Sequence, residues 1–430
     1  MQYTAALIIV TLGLFSLDYY VYRSWRRFAR GRTWGWTLPV YQLFMWLMPA
    51  TLPLYFYFYR WWEVEPLLAR AAFFGFWAVY YVPKVPIGIV LMVKDGVRAT
   101  RYVRGRLHPS SRRPEAASSS APADDIGSLG RDQPVGRATL TRGEFLRQMG
   151  WAAAAVPFIA TGYGVLRTLY DFRVYRVDVP IAGLPRALDG LTIAQISDLH
   201  AGSFLSPEPM RDAAEIVRGL RPDVIAVTGD WVNHDVGEMP IILPSLKRLE
   251  ADLGVFGCLG NHDHYAQTDG VVGRLRETPV DLLINEHRTL EIDGAKLHVI
   301  GTDNTGFRQR FGDLPRTMDG IEPGDESVQI LLAHDPSYWD NEVRPGFEEI
   351  DLMLCGHTHG GQFGVELGPL KWGLARIRYH RWAGLYREPR ASGNGEQFLY
   401  VNRGLGTVGP PIRLGIPPEI TLLTLRRAVA

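Results

Sequence analysis

The sequence predicts two structural classes in one chain: an all-α, membrane-spanning region over residues 1–171, then an α/β domain over residues 172–430. Three observations carry this. Apolar runs of about bilayer length, flanked by Arg and Lys, lie before residue 171. Beyond it, short apolar runs alternate with helical stretches and turn-rich loops, as in a sheet interleaved with helices. Asp, Asn and His recur directly after those runs, where ligands gather in α/β sheets.

A chain of 430 residues exceeds one ordinary domain. Its net charge of +1 carries no global basic bias, so nucleic acid is not expected as a partner. The two cysteines, Cys258 and Cys355, allow at most one disulfide and exclude a Cys-rich zinc site. Both precede polar loops on expected strands, where buried free thiols fit better than a bridge.

Four segments are long enough to span a bilayer: residues 3–22, 36–59, 67–93 and 151–170. Prolines at 39, 49, 53, 83 and 86 fall inside them and are tolerable where neighbouring helices re-satisfy the backbone. Trp34, Trp36, Trp61 and Trp62 sit near segment ends, as an interfacial aromatic belt would. Arg23, Arg26, Arg27, Arg30 and Arg32 follow the first segment, and Lys94, Arg98, Arg101, Arg104 and Arg106 follow the third. The positive-inside rule places both stretches in the cytoplasm, so the fourth segment leads outward and the C-terminal domain is expected to be extracytoplasmic. This makes an integral membrane protein, expected in the plasma membrane.

Lys84 lies at membrane depth. Either it snorkels or pairs within a kinked bundle, or it marks a functional polar site. Residues 105–140 contain the run Ser118-Ser119-Ser120-Ala121-Pro122-Ala123-Asp124-Asp125, too polar to bury a core, and are expected to be a disordered linker. The expected organisation is therefore a three-helix transmembrane region over 1–104, the linker, a fourth helix within 141–171, and the α/β domain over 172–430. Thr141-Arg142-Gly143-Glu144-Phe145-Leu146-Arg147 resembles a twin-arginine export signal, with Gly143 where the second Arg would stand. Its internal position favours an uncleaved fourth helix.

In the α/β half, residues 191–196, 223–227, 253–259, 297–300, 329–333 and 352–354 read as buried strands. Residues 209–220 and 241–251 read as helices. Five of the strands run into loops of metal-ligand chemistry. These are Ser197-Asp198-Leu199-His200, Thr228-Gly229-Asp230, Gly260-Asn261-His262-Asp263, Ala333-His334-Asp335 and Gly356-His357-Thr358-His359-Gly360-Gly361. Five of the chain's eleven histidines fall there. Hydrolysis of a phosphate ester needs an oxygen nucleophile placed against an anionic centre. Two divalent cations about 3.5–4 Å apart can clamp the phosphate oxygens and acidify a water between them. Such a pair calls for mixed imidazole and carboxylate donors, with one carboxylate reaching both ions. Asp-x-His and His-x-His put alternate side chains on one side of an extended segment.

The order Asp198-x-His200, Gly229-Asp230, Gly260-Asn261-His262-Asp263, His334, Gly356-His357-x-His359 resembles the calcineurin-like metallophosphoesterases over about residues 172–427. The tail motifs Val401-Asn402-Arg403-Gly404 and Pro417-Pro418-Glu419-Ile420 are similar to its bacterial membrane- or wall-associated branch. The resemblance implies two mixed β-sheets packed as a sandwich with helices outside. It implies that Asp198, His200 and His359 hold one metal, that Asn261, His334 and His357 hold a second, and that Asp230 bridges them. It implies that His262 stabilises charge or protonates the leaving oxygen beside the phosphate, with Asp263 orienting its imidazole. The implied cofactors are two divalent ions among manganese, iron and zinc.

The expected function is thus a membrane-anchored hydrolase of a phosphomonoester, phosphodiester or pyrophosphate bond, using metal-activated hydroxide. Its expected partners are membrane lipid and a phosphorylated small molecule or lipid-linked substrate. A membrane sensor that uses the metal domain only for binding is the alternative, which an unpaired Lys84 facing a cavity would favour. His234, His264 and Asp335 read as neighbours of the motifs. Arg403 and Arg413 either bind substrate phosphate or pair with local acids.

Overall fold

The structure, a computed structural model, describes residues 2–59, 67–107, 141–306, 310–321, 327–368 and 370–428. The expected linker falls almost wholly outside the described residues. Contacts group the chain into two units, one of residues 1–61 and 80–159, the other of 62–79 and 160–430.

The N-terminal part is helical: α1 (Gln2–Ala29), α2 (Thr37–Tyr59), α3 (Leu67–Tyr81), α4 (Lys84–Leu107), α5 (Arg142–Ala153) and α6 (Val156–Leu166). Among the described residues, the stretches Ala72–Arg104 and Arg142–Tyr170 are long and apolar enough to cross a membrane. The expected third and fourth segments are each interrupted. Pro83 lacks an N–H and disfavours a helical Val82, so the chain turns between α3 and α4. Pro157 enters at the second position of α6, where a missing N–H costs nothing, and the break falls just before it.

The polarity of the first unit is inverted relative to a water-soluble bundle. Ile8, Ile9, Leu12, Leu43, Leu47, Val90 and Val93 face outward, while Asp18 and Lys84 are buried. The Lys84 ammonium donates to Asp18 Oδ1 and lies 3.0 Å from the centroid of the Tyr80 ring. Lys84 is therefore paired, the first of the two readings its position allowed.

The second unit holds β1 (Arg173–Ile181), β2 (Thr192–Ile196), β3 (Val224–Thr228), β4 (Val255–Cys258), β5 (Val280–Leu282), β6 (Glu286–Ile292) and β7 (Ala295–Gly301). It continues with β8 (Ser327–Leu332), β9 (Leu352–Cys355), β10 (Gly364–Leu367), β11 (Leu370–Gly373), β12 (Gly384–Pro389), β13 (Glu396–Val401) and β14 (Glu419–Arg427). Two six-stranded sheets run in the orders β1-β14-β2-β3-β4-β5 and β12-β13-β9-β8-β7-β6, and β10-β11 is a separate hairpin. Both sheets are mixed. β2, β3, β4 and β5 are parallel while β14 runs antiparallel to β2, and β13, β9, β8 and β7 are parallel between two antiparallel edges.

Strand alternation explains the layering. Ile193, Val224, Ala226, Phe256 and Cys258 of the first sheet meet Leu297, Val299, Ile330, Leu352 and Leu354 of the second in one apolar layer. Ala194, Ile196, Ile225 and Val227 point the other way, under α7 (Glu208–Leu220). That helix buries Met210, Ala213, Ala214 and Val217, the i, i+3, i+4, i+7 pattern of an amphipathic helix. The outer face of the second sheet, with Leu331, Met353 and Leu399, is covered by Trp339 and Val343. The expected helix over 241–251 is only one turn, α8 (Leu243–Leu246), after a 3₁₀ stretch that contains Pro240. Cys258 and Cys355 are free and buried.

Replacing Lys84 with Met leaves the Asp18 carboxylate buried without its cation. Full-length protein in detergent should lose about 3–5 kcal/mol of unfolding stability, and Lys84→Met/Asp18→Leu should recover most of it. Equal melting temperatures for wild type and Lys84→Met would contradict the pairing.

Candidate metal centre

The expected loops converge. β2, β3 and β4 are adjacent and parallel in one sheet, and β8 and β9 are adjacent and parallel in the other. Their carboxyl ends deliver Asp198 and His200, Asp230, Asn261 to Asp263, His334, and His357 with His359. Asn261 and His262 open the short helix α9 (Asn261–Tyr265), which precedes α10 (Thr268–Leu275).

The loops are not extended, as the alternation argument assumed. Asp198, His200, Asp230, His357 and His359 have φ values of 48°, 41°, 54°, 69° and 50°. Left-handed backbone at a non-glycine residue costs energy and persists where its surroundings over-determine it. Five such residues in one cluster mark a site whose side-chain directions outweigh backbone comfort. Glycine serves the same end: a Cβ at Gly260 would lie 2.2 Å from Asp230 Oδ1.

The donor atoms lie close together. Asp230 Oδ2 is 3.4 Å from His200 Nε2 and 3.0 Å from His334 Nε2. His200 Nε2 is 3.1 Å from His359 Nε2, which is 3.2 Å from Asp198 Oδ1. His334 Nε2 is 3.3 Å from His357 Nδ1. Among the described residues, two groups that share no member follow, Asp198-His200-His359 and Asp230-His334-His357, and a third, His200-Asp230-His262, joins them, each with its ligand atoms within 4.8 Å of one another. Asp230 touches an imidazole of each. Among the described residues the buried Asn261 Oδ1 has no hydrogen-bond partner, an acceptor that a cation would satisfy.

Protonation suits the same reading. Burial pushes the pKa of His200 down, that of His357 down to about 4 and that of His359 well down, which favours neutral imidazoles. Burial opposes charge on Asp230, but the His334, His262 and His200 imidazoles hold it well below the carboxylate range. Burial likewise opposes charge on His334, yet Asp230 outweighs it and pushes it up to about 10. His334 Nδ1 donates to the Thr228 carbonyl at 2.7 Å, which leaves Nε2 directed at Asp230. Carboxylates, the neutral imidazoles of His200, His357 and His359, and an amide oxygen left unpaired among the described residues fit divalent cations, and His334 would give up its Nε2 proton on binding one.

Residues 191–361 match the family model for the calcineurin-like phosphoesterase, and residues 4–169 match that described as "probable calcineurin-like phosphoesterase, transmembrane domain". The chain is similar to the metallophosphoesterase YkuE of Bacillus subtilis, 31% identical over 67% of this chain and 98% of that one. The chain belongs to the calcineurin-like metallophosphoesterases. Phosphodiesterase YaeI of Escherichia coli is 30% identical, over 54% of this chain and 80% of its own length. A Danio rerio transmembrane protein with a metallophosphoesterase domain is 29% identical over 64% of this chain, which spans 62% of that relative.

This calcineurin-like metallophosphoesterase is a membrane protein and a metal-dependent enzyme. Its structure corrects one expected role. Asp263 does not orient the His262 imidazole. Its carboxylate accepts from the backbone N–H groups of Gly260 (2.8 Å), Asp230 (3.0 Å) and Trp231 (2.9 Å), which ties the β3 loop to the β4 loop. His262 Nδ1 instead donates to the Asn233 carbonyl at 2.6 Å. A carbonyl can only accept, so the other nitrogen, Nε2, is the end left for chemistry.

Several further residues resolve. Arg403 pairs with Glu419 and Glu366, and Arg413 is wholly buried, donating to the carbonyls of Arg403, Gly404 and Gly406. Local pairing therefore describes Arg403, and Arg413 is tied into the backbone of the 403–406 loop. His264 bonds Asp303 at 2.6 Å. Asp335 Oδ2 lies 3.6 Å from His357 Nε2, and the hydroxyl of Tyr379 lies 2.9 Å from the same atom. Tyr379 carries no motif. Its only sequence signal is membership in the long 362–398 segment that follows the last histidine pair.

Asp230→Asn should lose cation from both groups, because the shared oxygen contributes to each. Metal analysis of the full-length variant should find well under one ion per chain. Full wild-type occupancy would contradict a shared role for Asp230.

Proposed function

We propose that the site holds two divalent cations, with Asp198, His200 and His359 around one, Asn261, His334 and His357 around the other, and Asp230 between. The observation that carries this is Asp230 Oδ2, within 3.4 Å of His200 and 3.0 Å of His334. When bound, the pair would supply Lewis acidity toward phosphate oxygens and a hydroxide nucleophile at neutral pH. The reaction is hydrolysis of a phosphomonoester, a phosphodiester or a pyrophosphate bond.

The chain's own groups do the rest. His262 is nearly buried, and one of its ring nitrogens clusters with the donor atoms of His200 and Asp230. With Nδ1 committed to the Asn233 carbonyl, Nε2 can neutralise charge on the phosphate or give its proton to the leaving oxygen. Asp263 holds the two loops that carry Asp230 and His262 in register. Burial of the site excludes water and strengthens these interactions.

The catalytic domain faces the extracytoplasmic side of the plasma membrane, a reading supported by the clustering of Lys and Arg after the first and third apolar segments. The substrate is a lipid or lipid-linked phosphate, supported by the presence of a transmembrane domain on the same chain. The buried pairing of Lys84 with Asp18 removes the feature that would have favoured a sensor without turnover.

Full-length protein in detergent should hydrolyse chromogenic phosphate mono- or diesters only when divalent cation is present, and chelation should abolish turnover. His262→Ala should retain cation and lose roughly 10²–10⁴-fold in kcat. Undiminished turnover by this variant would overturn the assigned role of His262.

A further inference from the structure

Glu238 is a buried carboxylate that none of the motifs includes. It lies in the 3₁₀ stretch Val236–Ile241, downstream of the β3 loop that carries Asp230. Its Oε2 accepts from Asn233 N–H at 2.6 Å and from Gly202 N–H at 3.2 Å. Its Oε1 accepts from Arg70 Nη1 at 2.9 Å, and Arg70 Nη2 donates to the Gly202 carbonyl. Arg70 is on α3 and belongs to the same contact unit as Glu238.

Each bond ends near the reacting centre. The Asn233 residue held at its N–H by Glu238 is the one whose carbonyl receives His262 Nδ1. Gly202 follows His200 by two positions. The fit admits no side chain at Gly202, where a Cβ would stand 2.0 Å from Arg70 Nη2 and 2.4 Å from Glu238 Oε1. Asn233 is pinned a second time, its Nδ2 donating to the Thr407 carbonyl at 3.1 Å. A buried carboxylate needs a counter-charge, and Arg70 provides a cation in contact with this one.

We propose that Arg70 and Glu238 are positioning residues for His262. Glu238 fixes the Asn233 backbone, the Asn233 carbonyl fixes the imidazole through Nδ1, and Arg70 holds Glu238 in place. Arg70 lies within residues 4–169, matched as the transmembrane domain, and outside the 191–361 catalytic match. A residue of the transmembrane-domain sequence thus completes the hydrogen-bond chain behind the proposed catalytic histidine. The excised fragment 172–430 keeps every proposed metal ligand but lacks this cation. The inference rests on the reading of His262 given above.

The test compares kcat, KM and metal content of full-length Arg70→Ala, Arg70→Lys, Glu238→Gln and the Arg70→Ala/Glu238→Gln double variant in detergent, with His262→Ala alongside. Arg70→Ala and Glu238→Gln should each lower kcat by about 10–100-fold at unchanged KM and unchanged metal content. Arg70→Lys should recover part of the loss. The double variant should lose no more than the worse single one, because both act through one chain of contacts. Single variants within twofold of wild type, beside an inactive His262→Ala, would overturn the positioning role and leave His262 assigned. An active His262→Ala would instead remove the reading on which it rests. A loss that tracks metal content, or a Tm drop without a change in kcat, would also overturn it and assign the pair to folding.

Discussion

The site depends on a single carboxylate oxygen placed between two sheets. Asp230 leaves β3 of the first sheet, and its Oδ2 meets His200 from that sheet and His334 from the second. A negative oxygen among buried imidazoles is costly unless its surroundings are fixed. Here they are fixed from behind. Asp263 gathers the N–H groups of Gly260, Asp230 and Trp231, and Asp230 Oδ1 accepts from His262 N–H. The backbone is driven into left-handed φ at Asp198, His200, Asp230, His357 and His359 to aim their side chains inward. The parallel strand cores supply the rigid frame against which such strain can be held.

The membrane part obeys the same electrostatics in a different solvent. Its apolar side chains face outward, and Asp18 and Lys84 sit inside as a pair beside the Tyr80 ring. In hydrocarbon an unpaired charge would cost several kcal/mol, so the pair is the condition for either residue to be there. Arg70 and Glu238 repeat the motif in the second unit, with the difference that their contacts lead to His262.

Much of the fold and site is legible in the sequence. The strands at 192–196, 224–228, 255–258 and 352–355 are short and largely apolar, and a Gly or Ser follows each within two residues with polar ligands at or behind it. Local pattern suffices for that. β14 was not legible, because it inserts between β1 and β2 from the far end of the chain, a pairing that no local signal specifies. The breaks before α4 and α6 were present in Pro83 and Pro157, but hydrophobicity alone runs straight through them. The role of Asp263 is hidden for a similar reason: adjacency to His262 suggests contact, whereas the carboxylate turns back onto four backbone amides. Tyr379 and Arg70 reach the site from distant sequence, and neither bears a signature of its destination.

The account stands on Asp230 being shared by two cations, and electron paramagnetic resonance of the full-length protein loaded with manganese(II) tests that most directly. A carboxylate shared by ions a few ångströms apart should give an exchange-coupled spectrum at two ions per chain. The six-line signal of isolated manganese at one ion per chain would contradict it.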